Sequence, residues 1–392
     1  MFNTLTRMGA SAAGAYEIDK SVRFSGSDWH HFKRTFDTNS STTTRTLSFW
    51  IKRSALGSYQ TLFGTTNDGY MEGRLQFTSS DTLQYTDRDS SSGSTDVQLI
   101  TNRVFRDVSA WMHIVFIQDT TDGTSGDRHR LYINGVEETS FSSETQPSQN
   151  YVPSFFRSSV ENFIGSSVGS YTFNGYMTEI HYIDGAVKTP DKFAEENADT
   201  GEWVPKEYTE GSYGTNGFYL NFSDNSDATA TTIGKDSSGQ SNNFTPQNIS
   251  VSAGAGDDSS EDSPTNNFPT FNPLWGRTSY LPEITNGGLD CHLPNGSYYQ
   301  FAVGTMAMKS GKWYWEVTIE DSGTAGDDTK CLVGVGSPWV PYASGEPVKD
   351  WRGYYRDGQK IVGTNGSNTT SAYGASYTDG DVIGVALDLD NG

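Results

Sequence analysis

Three aspartates in one short loop, Asp119, Asp122 and Asp127 of DTTDGTSGD, are the acids whose grouping would suit a hard cation. Calcium takes roughly six to eight oxygen ligands, and it is the one cofactor the chain would accommodate; none is required. The loop lacks strict calcium-loop spacing, so solvated turn acids are the plainer reading. Paired carboxylates roughly 5 to 5.5 Å apart could instead hydrolyse glycosides, and alternate positions on one strand face can supply them. Glu17-Ile18-Asp19 begins such a pattern but runs into Lys20 and Ser21, and Glu179-Ile180-His181 continues as Tyr182-Ile183-Asp184 with the wrong alternation. His113, between Met112 and Ile114, reads as a packed or surface histidine. The sequence contains no phosphate loop or paired-histidine zinc motif. Its two cysteines, Cys291 and Cys331, are too few for a disulfide framework or a zinc cluster and read as reduced thiols. These residues point to a protein that is not an enzyme.

The elements that must carry them are short strands. The 392 residues suit two or three domains, with 48 acidic against 27 basic residues and a formal charge of −21. Such a charge repels phosphate backbones and anionic membranes, which excludes nucleic acid as a partner. No apolar run could span a bilayer, so no membrane insertion is expected, and the first twenty residues lack the apolar stretch of a signal peptide. Asn-Gly and Asp-Gly pairs, among them Asn134-Gly135, Asp184-Gly185 and Asp357-Gly358, suit the type I′ turns of tight hairpins. Between these pairs lie TLSFWIKR, WMHIVFIQD, RLYING, TEIHYID, GFYLNF, KWYWEVTIE, CLVGVG and DVIGVALDLD. In the first, Leu47, Phe49 and Ile51 share one face and Thr46, Ser48, Trp50 and Lys52 the other, as in a half-buried antiparallel strand. The fold class is therefore all-β, antiparallel β-sandwiches. Thr189 as cap and Pro190 at the first helical position predict a short helix over 189–198, and the polar stretch 251–274 reads as a linker.

Residues 21–196 resemble the laminin-G/concanavalin-A-like lectin family. The resemblance rests on SVRFSGSDWHHFK, TLSFWIKRSALGSYQTLFG, AWMHIVFIQD, DRHRLYINGVEE and NFIGSSVGSYTFNGYMTEIHYIDGAVKTPDKFAE in that order. It implies a jelly-roll sandwich over 21–200 in which Trp111, Phe49 and Phe163 are core aromatics. Such sandwiches also host glycoside hydrolases and lectins, so a free-standing carbohydrate-binding lectin is the alternative reading and a hydrolase a more remote one. GTNGFYLNF and KDSSGQSNN, within 214–250, resemble a laminin-G-like fragment that adds a strand or two to a neighbouring sandwich. The segment 201–274 is otherwise a linker.

From Leu274 on, GKWYWEVTIE, CLVGVG, GYYRDGQKI and DGDVIGVALDLDNG resemble the SPRY family, which implies a second sandwich over 275–392. SPRY domains bind protein segments through loops, which makes Trp339, Tyr342, Trp351, Tyr354 and Tyr355 candidate contact residues. A final strand that reaches Asn391-Gly392 without its next partner implies that the natural product continues. This domain order is similar to that of tail-fibre and appendage proteins of marine bacteriophages. The resemblance implies a virion protein assembled in the host cytoplasm. Residues 1–20 would anchor it to other virion proteins, a host-surface glycan or protein would be its target, and a homo-oligomer its working state.

Overall fold

The computed structural model describes residues 16–26, 29–38, 41, 43–67, 70–88, 95–167, 171–253, 256–275, 282–292, 302–321, 331–337, 350–364 and 367–391. Residues 1–15 of the expected anchor over 1–20, and the residues Trp339 and Tyr342, lie outside them.

Two eight-stranded sheets share one core, and every strand pair within them is antiparallel. The first runs Val136–Glu138, His129–Ile133, Met112–Asp119, Thr44–Arg53, Asn174–Asp184, Ser21–Ser25 and Ser259–Ser260, with Phe218–Leu220 also paired to Asn174–Asp184. The second runs Phe141–Thr145, Val97–Val104, Thr82–Asp87, Tyr70–Phe77, Gln60–Asn67, Glu161–Ile164, His31–Thr35 and Thr245–Gln247. Leu47, Phe49, Ile51, Ile114 and Phe116 from the first meet Leu62, Phe63, Leu75, Phe77 and Leu99 from the second in one apolar cluster. Burying a side chain of this kind stabilises by about 1.5–3 kcal/mol, so the alternation of apolar residues sets both the register and the layer contact.

The alternation of Thr44–Arg53 is as expected, but its second face is not open to solvent. Every residue from Arg45 to Arg53 is buried. Trp50 packs with Trp111, Tyr176, Ala194 and Trp203. Ser48 Oγ meets His113 Nε2 at 2.8 Å, and Thr46 Oγ1 donates to the Ala186 carbonyl. Lys52, fully buried, donates to Asp262 and Asn267 at 2.8 Å each and to the Phe268 carbonyl. The first sheet thus carries a third layer, built from residues after 185 and from 258–268. The passage 214–250 does add strands to the sandwich, Phe218–Leu220 and Thr245–Gln247. The irregular stretch 251–274 is tied down as well, by Ser259–Ser260 pairing with Ser21–Val22 and by Arg23 gripping Asp258 at 3.1 Å.

The helix expected over 189–198 is replaced by a single 3-10 turn, Pro190–Lys192, followed by the strand Ala194–Glu196. The Thr189 hydroxyl donates to the Asp191 side chain instead of capping backbone. Pairing of Ala194–Glu196 with Trp203–Pro205 buries Phe193 and Ala194 in the third layer, a gain that an exposed helix would forgo. Asn134 and Gly135 hold φ of 47° and 78°, as a type I′ turn requires. A Cβ on Gly135 would sit 2.7 Å from the Trp203 ring.

In the second region, Leu332–Gly336, Asp350–Tyr355, Gln359–Thr364 and Ser367–Ala372 form a four-stranded antiparallel sheet, and Lys312–Thr318 pairs with Val382–Asp388. Cys291 and Cys331 are both free thiols.

Candidate functional site: an arginine-lined cleft

Strands of both sheets converge at one end of the sandwich. Thr44–Arg53 ends there and Met112–Asp119 begins, beside the Asn134-Gly135 turn; the second sheet contributes the end of Val97–Val104. The loop 105–111 joins the two sheets, and a cleft of about 160 Å³ opens between them, lined by Arg53, Arg103, Arg106, Trp111, Met112 and Asn134 among others. A cavity of about 150 Å³ admits one benzene ring, so the cleft has room for a single six-membered ring.

Its charged wall is organised by Asp81, which adopts φ of 62° in the turn before Thr82–Asp87. This buried carboxylate accepts from the Gly57 amide at 2.8 Å, from Arg53 Nη2 at 3.2 Å and from Arg106 Nε at 3.0 Å. Burial alone would raise its pKa; the Gly57 amide and the two guanidinium groups outweigh that and hold it below the usual carboxylate range. Arg53 is buried, its guanidinium stacked 4.0 Å above the Phe77 ring, and burial pushes its pKa down to about 10. Arg106 uses Nε on Asp81 while its side chain remains 55% exposed. Arg103 lies 5.3 Å over the Phe105 ring and makes no ion pair among the described residues. On the opposite wall Trp111 donates Nε1 to Asp262 at 2.8 Å, and Asn134 Oδ1 accepts from the His113 amide at 2.8 Å. Val104 and Ala110 are exposed and add apolar contact surface.

The metal, contact and catalytic candidates singled out from the sequence lie elsewhere. Asp119 Oδ1 is engaged by the Thr121 amide and hydroxyl, and Asp122 Oδ1 by the Thr124 amide, while Asp127 ends a 3-10 turn. Among the described residues, no three His, Cys, Asp or Glu side chains are grouped to hold a metal ion. Trp351, Tyr354 and Tyr355, expected on a loop, sit on the strand Asp350–Tyr355. Trp351 and Tyr355 are buried with Ile361, and Tyr354 packs against Tyr373 and Tyr377, so local packing accounts for all three. His113 is fully buried, stacked on Trp50, with Nδ1 accepting from Trp203 Nε1 at 3.0 Å. Burial pushes its pKa down to about 3, which keeps it neutral.

Glu17 and Asp19 are exposed and precede the first strand, so they share no strand face. Glu179 occupies a bulge in Asn174–Asp184 with φ of 51°. Its buried carboxylate accepts from Tyr16 at 2.8 Å and Tyr219 at 2.6 Å, with His181 Nε2 at 3.4 Å. These partners are two phenols and an imidazole, not a second carboxylate. Arg53, Arg103, Arg106 and Asp81 were missed from sequence because no motif links four positions scattered over 81–106 and 53.

Residues 24–191 match the family described as the concanavalin A-like lectin/glucanases superfamily, and residues 312–392 match the SPRY domain. A concanavalin A-like domain and a SPRY domain are present. The cleft lies wholly within the concanavalin A-like domain. Similar solved structures include a heptameric SAP-like pentraxin from Limulus polyphemus, with 16% identity, 45% of this chain and 82% of that chain covered, and a TM-score of 0.33. Another is a putative carbohydrate binding protein from Bacteroides ovatus, with 16% identity, 59% and 58% covered, and a TM-score of 0.40. A third is domain 4 of an extracellular arabinanase from Geobacillus stearothermophilus in complex with arabinotriose, at 17% identity, 38% and 64% covered, and a TM-score of 0.27. No curated protein sequence matches the chain. No helix among the described residues is long and apolar enough to cross a membrane.

Proposed function

We propose that this chain is a non-catalytic binding protein whose concanavalin A-like domain takes a glycan in the cleft between Arg103, Arg106, Trp111 and Asn134. The observation that carries the reading is the cleft itself. It is ring-sized, lies at the strand ends of a lectin-type sandwich, and combines fixed hydrogen-bonding groups with apolar contact surface, the composition of a small-molecule site. Asn134 is held by its Oδ1, which leaves its amide nitrogen without a partner among the described residues and available to a sugar hydroxyl. No cofactor is required. The buried carboxylate Glu179, engaged by phenols, supports a binding role over hydrolysis, which needs two carboxylates.

At a finer level, the protein is a component of a bacteriophage appendage that attaches virions to a host-surface glycan or protein, joins other virion proteins through residues 1–20 and works as a homo-oligomer. The order of a concanavalin A-like domain followed by a SPRY domain supports this reading. Binding of the full chain to an array of immobilised glycans tests the first level; retention of a defined subset is expected, and no retention at any position overturns it. Co-purification with intact particles tests the second, and its absence from every particle fraction overturns that.

A further inference from the structure

The cleft is basic although the chain as a whole is acidic. Around it, three guanidinium groups, of Arg53, Arg103 and Arg106, stand against the carboxylates of Asp81 and Asp107, while Asp262 behind Trp111 is paired with Lys52. The surplus is positive in a chain whose formal charge is −21. Arg53 is spent on Asp81 and on the Phe105 carbonyl, deep in the fold. Arg106 and Arg103 are the two whose terminal nitrogens remain for a ligand, and both are held from beneath, by Asp81 and by the Phe105 ring. A guanidinium fixed through Nε presents its remaining edge as a fork that matches the two oxygens of a carboxylate or two of a sulfate. Because the fork is already oriented, less side-chain entropy is lost on binding.

Resting on the glycan reading above, we infer that the ligand is an acidic glycan, with its anionic group on Arg106 and Arg103 and its ring against Val104, Met112 and Trp111. Charge-assisted contacts in a half-enclosed cleft discriminate strongly, because a neutral sugar would leave two guanidinium groups stripped of part of their water without a counter-charge. The net negative charge of the chain adds to the selectivity. It repels anions that approach elsewhere, so the basic cleft is the place where an acidic chain can dock. Asp107 opposes the ligand charge from the rim; its Oδ1 is occupied by the Ser109 amide and hydroxyl.

Calorimetric titration of the full chain against three matched oligosaccharides tests this: one bearing glucuronate, its carboxyl-reduced counterpart, and the reduced form carrying an O-sulfate. The carboxylated or the sulfated sugar is expected to bind at least tenfold more tightly than the neutral one, and to weaken as salt rises from low to physiological strength. The arm with the higher affinity identifies the anion. Arg106→Ala and Arg103→Ala should each lower acidic-sugar affinity about tenfold and narrow the gap between the acidic and neutral sugars. Asp107→Asn keeps an Oδ1 for Ser109 and should tighten acidic-sugar binding severalfold, a gain that misfolding cannot mimic. Equal affinity for all three sugars would overturn the inference while leaving the glycan reading in place. Failure of all three, with retention on a neutral glycan of the array, would also overturn it; failure on the whole array would remove both.

Discussion

Substituting Asp262 by alanine should cost far more than an ordinary loop substitution, although it lies in a stretch that reads as linker. Asp262 Oδ2 accepts from Lys52 Nζ at 2.8 Å, Oδ1 accepts from Trp111 Nε1 at 2.8 Å, and the Phe268 amide is 3.2 Å from Oδ1. The Lys52 side chain is completely buried, so the substitution leaves an ammonium with only Asn267 and a carbonyl for company. Removing one partner of a buried pair costs about 3–5 kcal/mol, and over a domain of this size that lowers Tm by roughly 6–20 °C. Burial pushes the Asp262 carboxyl up and the Lys52 ammonium down, so desolvation outweighs mutual attraction on both sides. The pair should therefore be costly to break but not to replace. Lys52→Met combined with Asp262→Val should be less destabilised than the sum of the single variants by about 1 kcal/mol or more, short of full recovery because Trp111 loses its acceptor. Urea unfolding of Asp262→Ala and of the four proteins in the double-mutant cycle measures this. Additive losses, or an Asp262→Ala loss within about 0.5 kcal/mol of zero, would refute the reasoning and the docking of 258–268 on the sheet.

Three further outcomes can be checked with standard measurements. Asp81 holds a depressed pKa in the folded state, so its contribution is present above the unfolded value near about 3.9 and is lost as pH falls through the folded value. The stability gap between wild type and Asp81→Asn should accordingly be constant near neutrality and close below about pH 4; a gap unchanged down to pH 2 would count against the Asp81 ion pairs. Gly135→Ala forces a side chain into φ of 78° and against Trp203, and a destabilisation of at least about 1 kcal/mol is expected by denaturant titration. Adding chelator should leave Tm unchanged, whereas a rise with excess calcium that Asp119→Ala or Asp122→Ala abolishes would assign an ion to the 119–127 loop.

Local patterns were legible and distant cover was not. The alternation of Leu47, Phe49 and Ile51 and the Asn134-Gly135 turn rest on neighbours in sequence, and both stand in the fold. The burial of Trp50 and Lys52 depends on Trp203 and Asp262, some 150 and 210 positions away, and nothing in TLSFWIKR reports that a third layer will arrive. The helix signal at Thr189-Pro190 was a true local preference overridden by strand pairing. Trp351 and Tyr355 read as contact aromatics because a Trp/Tyr-rich segment serves equally for packing, which is what the strand Asp350–Tyr355 uses them for. The cleft escaped notice for a different reason. Isolated arginines at 53, 103 and 106 carry no motif, and only the fold gathers them around Asp81.

Hydrogen exchange of the full chain, with and without the tightest glycan from the array, tests the central claim most directly because it reports where the ligand sits. Added protection is expected at 103–112 and at the Asn134-Gly135 turn, and to disappear in Arg106→Ala at the same ligand concentration. Protection confined to 119–127 or to 331–391, with none at 103–112, would contradict the assignment of this cleft as the binding site.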